Sequence, residues 1–281
     1  MSHVSVIASS GGNVFSHLLE SLAPEGVPVW AISLGAAFMG VAILVVFVSL
    51  VAMFSVWLER KVSAHIQCRY GPMYVGGWHG WAQTLADGVK LLLKEDLIPL
   101  GADKPLFVLA PAIVLGAIFG ALVALPLAPG FFFADVDMGL FLILAFSSLT
   151  TIGVVMAGWA SNSKWSLYGA MREAAQVVAY EIPLGVSLFV PLMVSGTFSL
   201  TEASAAQAGW FGMHWFIFQN PFMLPAFIIF FIAALAETKR APFDLPEAES
   251  ELVAGFMTEY SGIRWSFFFM EEYAAMFLMS A

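Results

Sequence analysis

Long apolar runs constrain the fold of this chain more than any other feature of the sequence. They occupy residues 29–58, 107–127, 140–160, 177–194 and 221–236, and a last run extends from residue 265 to residue 281. A helix needs about 20 apolar residues to cross a bilayer, and these runs approach or exceed that length. Only 11% of the residues are charged, and the mean hydropathy is +0.87. The sequence therefore predicts an all-α integral membrane protein with about six transmembrane helices in one membrane domain, residues 1–281.

The basic residues predict the orientation of these helices. All 11 lysines and arginines lie in three connecting stretches, residues 59–105, 161–175 and 237–264. The positive-inside rule places these stretches in the cytoplasm. The segment 1–28, which lacks the basic start of a signal peptide, is then non-cytoplasmic.

The first predicted cytoplasmic loop contains an amphipathic pattern. Trp81, Leu85, Val89 and Leu92 recur at spacings of three and four, with Asp87 between them. This spacing predicts a helix over residues 80–94 that lies along the membrane interface or seals a cavity. The alternative is a surface helix that only anchors the loop.

The third predicted cytoplasmic loop is rich in carboxylates. Residues 236–260 read AETKRAPFDLPEAESELVAGFMTEY, in which only Lys239 and Arg240 oppose six acidic side chains. Asp244 and Glu247 have the spacing of a helix N-cap and its third residue. Capping does not explain Glu251, which lies four residues after Glu247 and repels it. It also leaves Glu237, Glu259 and the pair Glu271–Glu272 unexplained. Such a cluster favours proton or cation handling, or recognition of a polar headgroup.

Glu181 is an acid inside a predicted span. It follows Ala170 by about 16 Å along a helix, which places it near the middle of the membrane. Pro183 loosens the backbone hydrogen bonds beside it. Two interpretations remain open from the residues alone: a proton carrier, or a buried acid paired with Arg172 for packing.

The sequence disfavours several other classes of protein. The single cysteine, Cys68, excludes an internal disulfide, and the 5 histidines show no metal-ligand spacing. There is no GxGxxG motif and no Walker loop. We therefore expect this chain to bind no metal and no cofactor of its own, and to have no nucleic-acid partner.

Two stretches resemble a known family. The segment AETKRAPFDLPEAESELVAGFMTEYSG and the loop ERK…ADGVKLLLKED are similar to the H-type membrane subunit of respiratory NADH:quinone oxidoreductase (complex I). The chain departs from the family pattern at Lys239, where Asn is usual, and at Tyr70, Met73, Gly77 and Ala275. The resemblance implies a bacterial inner-membrane subunit with quinone as substrate, and with the peripheral arm and other membrane subunits as partners. It also implies that further C-terminal helices of the family are missing after Ala281.

The resemblance further implies roles for particular residues. Those expected at the quinone chamber are Arg60, Asp87, Arg172 and Arg240, of which the last two would also pair with carboxylates. Those expected to couple quinone reduction to proton translocation are Glu181, Glu237, Asp244, Glu247, Glu249, Glu251, Glu259 and Glu272. The equivalent subunit of an energy-converting membrane hydrogenase is an alternative. A free-standing secondary transporter is a remote one, because the sequence shows no inverted repeat.

Overall fold

The computed structural model describes residues 28–127, 133–134, 136–209, 214–245 and 253–281. Across these residues the chain forms α-helices joined by turns, with no β-strand. The helices are α1 (Val29–Ile66), α2 (Gln83–Leu93), α3 (Lys104–Val123), α4 (Gly139–Ala160), α5 (Lys164–Ser195), α6 (Leu200–Ala206), α7 (Phe216–Gln219), α8 (Met223–Glu237) and α9 (Gly262–Ser280). Short 3-10 turns cover Trp78–Gly80 and Gly255–Met257.

Among the described residues, four helices, α1, α3, α4 and α5, are long and apolar enough to cross a membrane. They coincide with the first four predicted spans. The fifth predicted span is the shorter helix α8, which has 15 residues. The sixth is α9, in which Arg264, Glu271 and Glu272 interrupt the apolar sequence. An all-helical fold across the described residues, with helices long and apolar enough to cross a membrane, is confirmed, whereas the number of about six spans is not.

Helix α5 is longer than the apolar run inside it. The sequence predicts a span from residue 177, but the helix begins at Lys164 and continues through Pro183 and Pro191. Each proline lacks a backbone N–H and so leaves one carbonyl of the preceding turn without its helical donor. Residues 164–175 of the predicted cytoplasmic loop therefore form the first turns of α5. Their position relative to the membrane stays a prediction.

The described chain divides into two compact units. The first contains the described residues of 1–45, 119–148 and 178–237, and its core is a cluster around Leu140, Leu192 and Ala203. The second contains the described residues of 46–118, 149–177 and 238–281. Its core lies around Phe107, Phe256 and Phe268, which are fully buried.

The second unit positions the polar residues discussed below. Tyr260 stacks on Phe107 with ring centroids 4.0 Å apart, and Ser166 Oγ donates to the Phe256 carbonyl at 2.9 Å. Ser261 Oγ accepts from the Leu97 amide and donates to the Glu95 carbonyl, both at 3.1 Å. These bonds connect the segment that follows α2 to the residue that precedes α9.

The predicted amphipathic helix is present as α2. It contacts α9, whereas Trp81, Leu85, Val89 and Leu92 on its apolar side are exposed. Trp57 Nε1 donates to the His79 carbonyl at 3.2 Å, which joins the turn before α2 to α1. Helix α2 therefore closes a space between α1 and α9.

Candidate functional site

The first polar cluster joins α1 to α2. Arg60 Nη1 donates to Asp87 Oδ2 at 2.5 Å, and Lys90 Nζ lies 3.4 Å from Asp87 Oδ1. The side chains of Arg60 and Asp87 are 44% and 25% exposed, so both remain accessible to a small ligand. Burial raises the pKa of Asp87, but the hydrogen bond and charge of Arg60, with help from Lys90, lower it by more. Asp87 is thus a carboxylate held in its ionised form.

An apolar cavity of about 660 Å³ adjoins this pair. Its wall is formed by α1, α2 and α9, and includes Met53, Val56, Leu85, Gly88, Leu91, Phe267 and Met270. Arg60, Asp87 and Lys90 are the charged residues of its lining. An apolar space with a few polar groups on one side is the usual construction of a small-molecule site.

The second polar cluster is centred on Arg240. Its Nη1 donates to Glu59 Oε1 at 2.8 Å, and its Nη2 lies 3.0 Å from Glu272 Oε1. Tyr273 OH donates to the other oxygen of Glu59 at 2.6 Å, and the guanidinium lies 5.1 Å from the Tyr273 ring centroid. Burial lowers the pKa of Arg240, but Glu272, Tyr273 and Glu59 raise it by more. The guanidinium is therefore a fixed positive charge between two carboxylates.

A second, polar cavity of about 610 Å³ lies beside this cluster. Its lining includes Glu59, Ser63, Arg69, Arg240, Glu272 and Tyr273. Arg60 lines both cavities. A ligand in the apolar cavity and the Arg240 cluster can therefore act on the same guanidinium.

The third polar cluster is the most deeply buried. Lys239 Nζ lies 2.5 Å from Glu173 Oε1 and 3.7 Å from Glu271 Oε2. Glu173 is 1% exposed, Glu271 5% and Lys239 7%. The ammonium also lies 5.6 Å from the centroid of the Phe256 ring. Burying three ionisable groups is costly unless they compensate one another.

Neighbouring residues join the three clusters. Glu59 and Arg60 are adjacent on α1, Lys239 and Arg240 follow α8, and Glu271 and Glu272 are adjacent on α9. Lys239 pairs with Glu271 as Arg240 pairs with Glu272. Charged side chains of both signs thus continue from Asp87, beside the apolar cavity, to the buried Glu173.

Glu181 lies elsewhere, in the first unit, where it accepts a hydrogen bond from Ser148 Oγ. Arg172 and Glu181 are nine residues apart on α5, which separates them by about 14 Å along the axis and places them on roughly opposite faces. A direct ion pair between them, the packing interpretation of Glu181, is incompatible with this helix. Arg172 is exposed, whereas its neighbour Glu173 is buried.

The remaining residues singled out from the sequence are dispersed. Glu237 is buried at the end of α8, Glu259 is half-buried in the turn before α9, and Asp244 is exposed. Glu247, Glu249 and Glu251 lie outside the described residues, as does most of the predicted helix that Asp244 would cap.

Of the residues with predicted roles, the structure thus brings together Arg60 with Asp87, and Arg240 with Glu272. Glu59, Glu173 and Tyr273 complete these clusters, although the sequence assigns them no role. In the sequence, Lys239 is only a departure from the family pattern, and Glu271 is only an acid that capping does not explain. The charges of these residues are visible in the sequence, but their partners are not.

Several known proteins with similar sequences carry the same name. Residues 39–281 match the family model described as NADH dehydrogenase. The H subunit of NADH-quinone oxidoreductase from Chlorobium luteolum is 47% identical over 271 residues, covering 96% of this chain and 71% of that protein. The protein of the same name from Chlorobaculum parvum is 51% identical and covers 85% of this chain and 67% of its own length. The protein of the same name from Geobacillus sp. is 52% identical, and the match covers 86% of this chain and 71% of that protein. By the length of the family match and by these identities, the chain belongs to the NADH dehydrogenase family, together with proteins named as the H subunit of NADH-quinone oxidoreductase.

Proposed function

We propose that this chain is the membrane subunit of a bacterial NADH-quinone oxidoreductase, in which it forms part of the quinone site and couples quinone reduction to proton translocation. The family match supports the first part. The observation that carries the second is the position of the Arg60–Asp87 pair, which lines an apolar cavity on one side and adjoins the Arg240 cluster on the other.

The chemistry of a quinone suits this arrangement. A quinone has an apolar body and two carbonyl oxygens, and its reduction to a quinol takes up two electrons and two protons. The wall of α1, α2 and α9 suits the apolar body, and the partly exposed Arg60 guanidinium can donate to a carbonyl oxygen. Asp87 holds Arg60 in place and remains ionised while it does so.

Charge balance gives a route for coupling. Four cationic side chains, Arg60, Lys90, Lys239 and Arg240, pair with five carboxylates, Glu59, Asp87, Glu173, Glu271 and Glu272. Because these side chains are in contact with one another, a change of charge at the edge of the set acts on the others. Reduction of a quinone beside Arg60 would supply that change.

We further propose that α8 and α9 also cross the inner membrane, which gives six spans with the N-terminus outside. At 15 residues, α8 is about 22 Å long, so its crossing requires a locally thin bilayer. The basic residues of 59–105, 161–175 and 237–264 then face the cytoplasm, where the peripheral arm would dock. The chain itself binds no redox cofactor in this proposal, and its partners are the other subunits, quinone and lipid.

Filling the apolar cavity tests the quinone site. Gly88 lines it, and a Cβ at Gly88 would have no neighbouring atom within 4 Å. Gly88→Leu should therefore occupy cavity volume without a clash, and replacing glycine inside α2 should favour the helix by up to about 1 kcal/mol. We expect normal assembly on native gels, normal NADH oxidation with an artificial acceptor, and a raised KM for quinone.

Gly88→Ala is the matched control, since it gives the same helical benefit and fills little volume. Unchanged quinone kinetics in a fully assembled Gly88→Leu complex would contradict the site. An equal effect of the two substitutions would mean that the backbone of α2, and not the cavity, is responsible.

A further inference from the structure

We propose that Glu173, Lys239 and Glu271 form an additional proton-holding site, in which Glu271 is the carboxylate that takes up and releases the proton. This inference rests on the proposed coupling function, because quinone reduction must supply the change of charge. It concerns three buried residues, of which the sequence singles out only Glu271, as one of several clustered acids.

The charges of the cluster are the first reason. All three side chains are at least nine-tenths buried. With both carboxylates ionised and the lysine protonated, the cluster carries one net negative charge. Burying ionisable groups is costly unless their charges compensate one another, and one additional proton makes these three side chains neutral together. The cluster therefore has two states, with net charges of −1 and 0, that differ by a single proton.

The distances indicate which carboxylate exchanges that proton. Lys239 Nζ is 2.5 Å from Glu173 and 3.7 Å from Glu271, so the close ion pair is the one with Glu173. When Glu271 accepts a proton, its weaker contact with the ammonium is lost, and the Glu173–Lys239 pair is retained. Release of the proton restores the Glu271 carboxylate, and Lys239 remains an ammonium throughout.

Lys239 is a fixed charge in this scheme. Its backbone has φ of 55°, a left-handed conformation that non-glycine residues adopt only where the surroundings impose it. Gln176 Nε2 donates to the Phe243 carbonyl at 2.8 Å, which attaches the segment after Lys239 to α5. The ammonium is thus held between α5 and α9 by the chain that carries it.

The cluster is connected to the proposed quinone site through the Arg240 cluster. Lys239 and Glu271 directly precede Arg240 and Glu272, which are 3.0 Å apart. The charged residues next to the cluster in sequence are Arg172 on α5, Glu237 and Arg240 beside Lys239, and Glu272 on α9. A change in the charge of Glu59 or Glu272 therefore alters the electrostatic potential at Glu271.

The decisive variant is Glu271→Gln. It removes the excess carboxylate and leaves Glu173 and Lys239 as a balanced pair, so the complex should assemble. We expect normal NADH oxidation with an artificial acceptor, an unchanged KM for quinone, and loss of most quinone-linked proton translocation in membrane vesicles. Glu202→Gln is the matched control, since Glu202 is exposed on α6 and is bonded to Thr197 outside this network. It should leave every measurement unchanged.

A second experiment separates proton transfer from packing. Lys239→Met alone removes the ammonium that lies beside both buried carboxylates and should reduce assembly. The double variant Glu173→Gln, Lys239→Met leaves one carboxylate, which can be buried protonated, and should recover assembly without recovering proton translocation. Recovery of both would show that the cluster serves packing alone and would overturn the proposal.

Two results with Glu271→Gln would also overturn it. One is full proton translocation in the assembled enzyme, and the other is failure to assemble while Glu202→Gln assembles normally. A failure of the proposed quinone site would be seen in a different variant. In that case Gly88→Leu would leave the quinone kinetics unchanged, whatever the result with Glu271→Gln.

Discussion

At the scale of single residues, the neighbours of Asp87 determine its protonation state. Burial raises its pKa, and Arg60 and Lys90 lower it by more, so the net value lies below the ordinary 3.8. For a carboxylate with a depressed folded pKa, the stabilisation is present above the unfolded pKa and is lost as the pH falls through the folded pKa. Asp87 should therefore remain ionised throughout the range in which the enzyme works.

This state predicts the pH profile of Asp87→Asn. We expect quinone reduction to fall by about 10- to 100-fold, the equivalent of ~1.5–3 kcal/mol for a hydrogen bond to a charged group. Between about pH 5 and 9 the profile should keep its wild-type shape, because Asp87 does not titrate there. Rates in membranes at a series of pH values measure this. Disappearance of one limb of the profile would assign that limb to Asp87, and loss of the assembled complex on native gels would make Asp87 structural.

Glu181 gives a prediction of a different kind. Glu181→Gln keeps an oxygen that can accept from Ser148 but cannot release a proton. We expect normal assembly and normal artificial-acceptor activity, with reduced quinone-linked proton pumping. Adding Arg172→Ala should not restore pumping, because the two residues lie on opposite faces of α5. Full proton translocation in a well-assembled Glu181→Gln enzyme would remove Glu181 from the pathway.

At the scale of elements, one contact fixes α5 against the turn at Gly255–Met257. A Cβ added at Gly169 would lie 2.6 Å from the Gly255 Cα, closer than backbone atoms tolerate. Gly169→Ala should therefore force the turn away from α5 and destabilise the protein by about 1–3 kcal/mol. The measurement is the thermal loss of the intact complex, followed by size-exclusion chromatography after heating.

Gly116→Ala is the control for this prediction. Gly116 lies within α3, and a Cβ there would have no neighbouring atom within 4 Å. The substitution should leave stability unchanged or raise it slightly, because alanine is the better helix former. Equal thermal stability of the two variants would show that α5 and the turn can separate at no cost.

Helix α5 also shows how much of the site could be predicted from the sequence. Hydropathy locates this segment because membrane helices are predominantly apolar, and Glu181, which the apolar run includes, does lie within α5. Hydropathy misses the beginning of α5, because the helix starts at Lys164, before the apolar run begins. The buried residues Ser166, Ala170, Glu173 and Val177 follow a helical spacing of four and three, so the period could have indicated that Glu173 faces inward.

The partners of the acids could not have been predicted in the same way. Glu59 and Arg240 are 181 residues apart, and no local spacing relates them. In the sequence, Lys239 is a single departure from the family pattern, where Asn is usual. Only the fold shows that Glu173 and Glu271 lie beside its charge. Local patterns give helices and their inward faces, whereas pairing between distant segments depends on the tertiary structure.

At the scale of the whole molecule, the predicted orientation can be tested with the native cysteine. Cys68 is exposed and lies in the stretch 59–105 that the positive-inside rule assigns to the cytoplasm. In intact cells an impermeant maleimide should leave Cys68 unmodified, and should modify it after the membrane is opened.

In a Cys68→Ser background, Ser204→Cys on the exposed side of α6 should react in intact cells, and Ser163→Cys, just before α5, should not. Labelling of opened membranes controls for reactivity at each position. The reverse pattern would place Arg60, Asp87 and Arg240 on the outer side, away from a cytoplasmic electron donor, and would contradict the proposed docking of a peripheral arm at these loops.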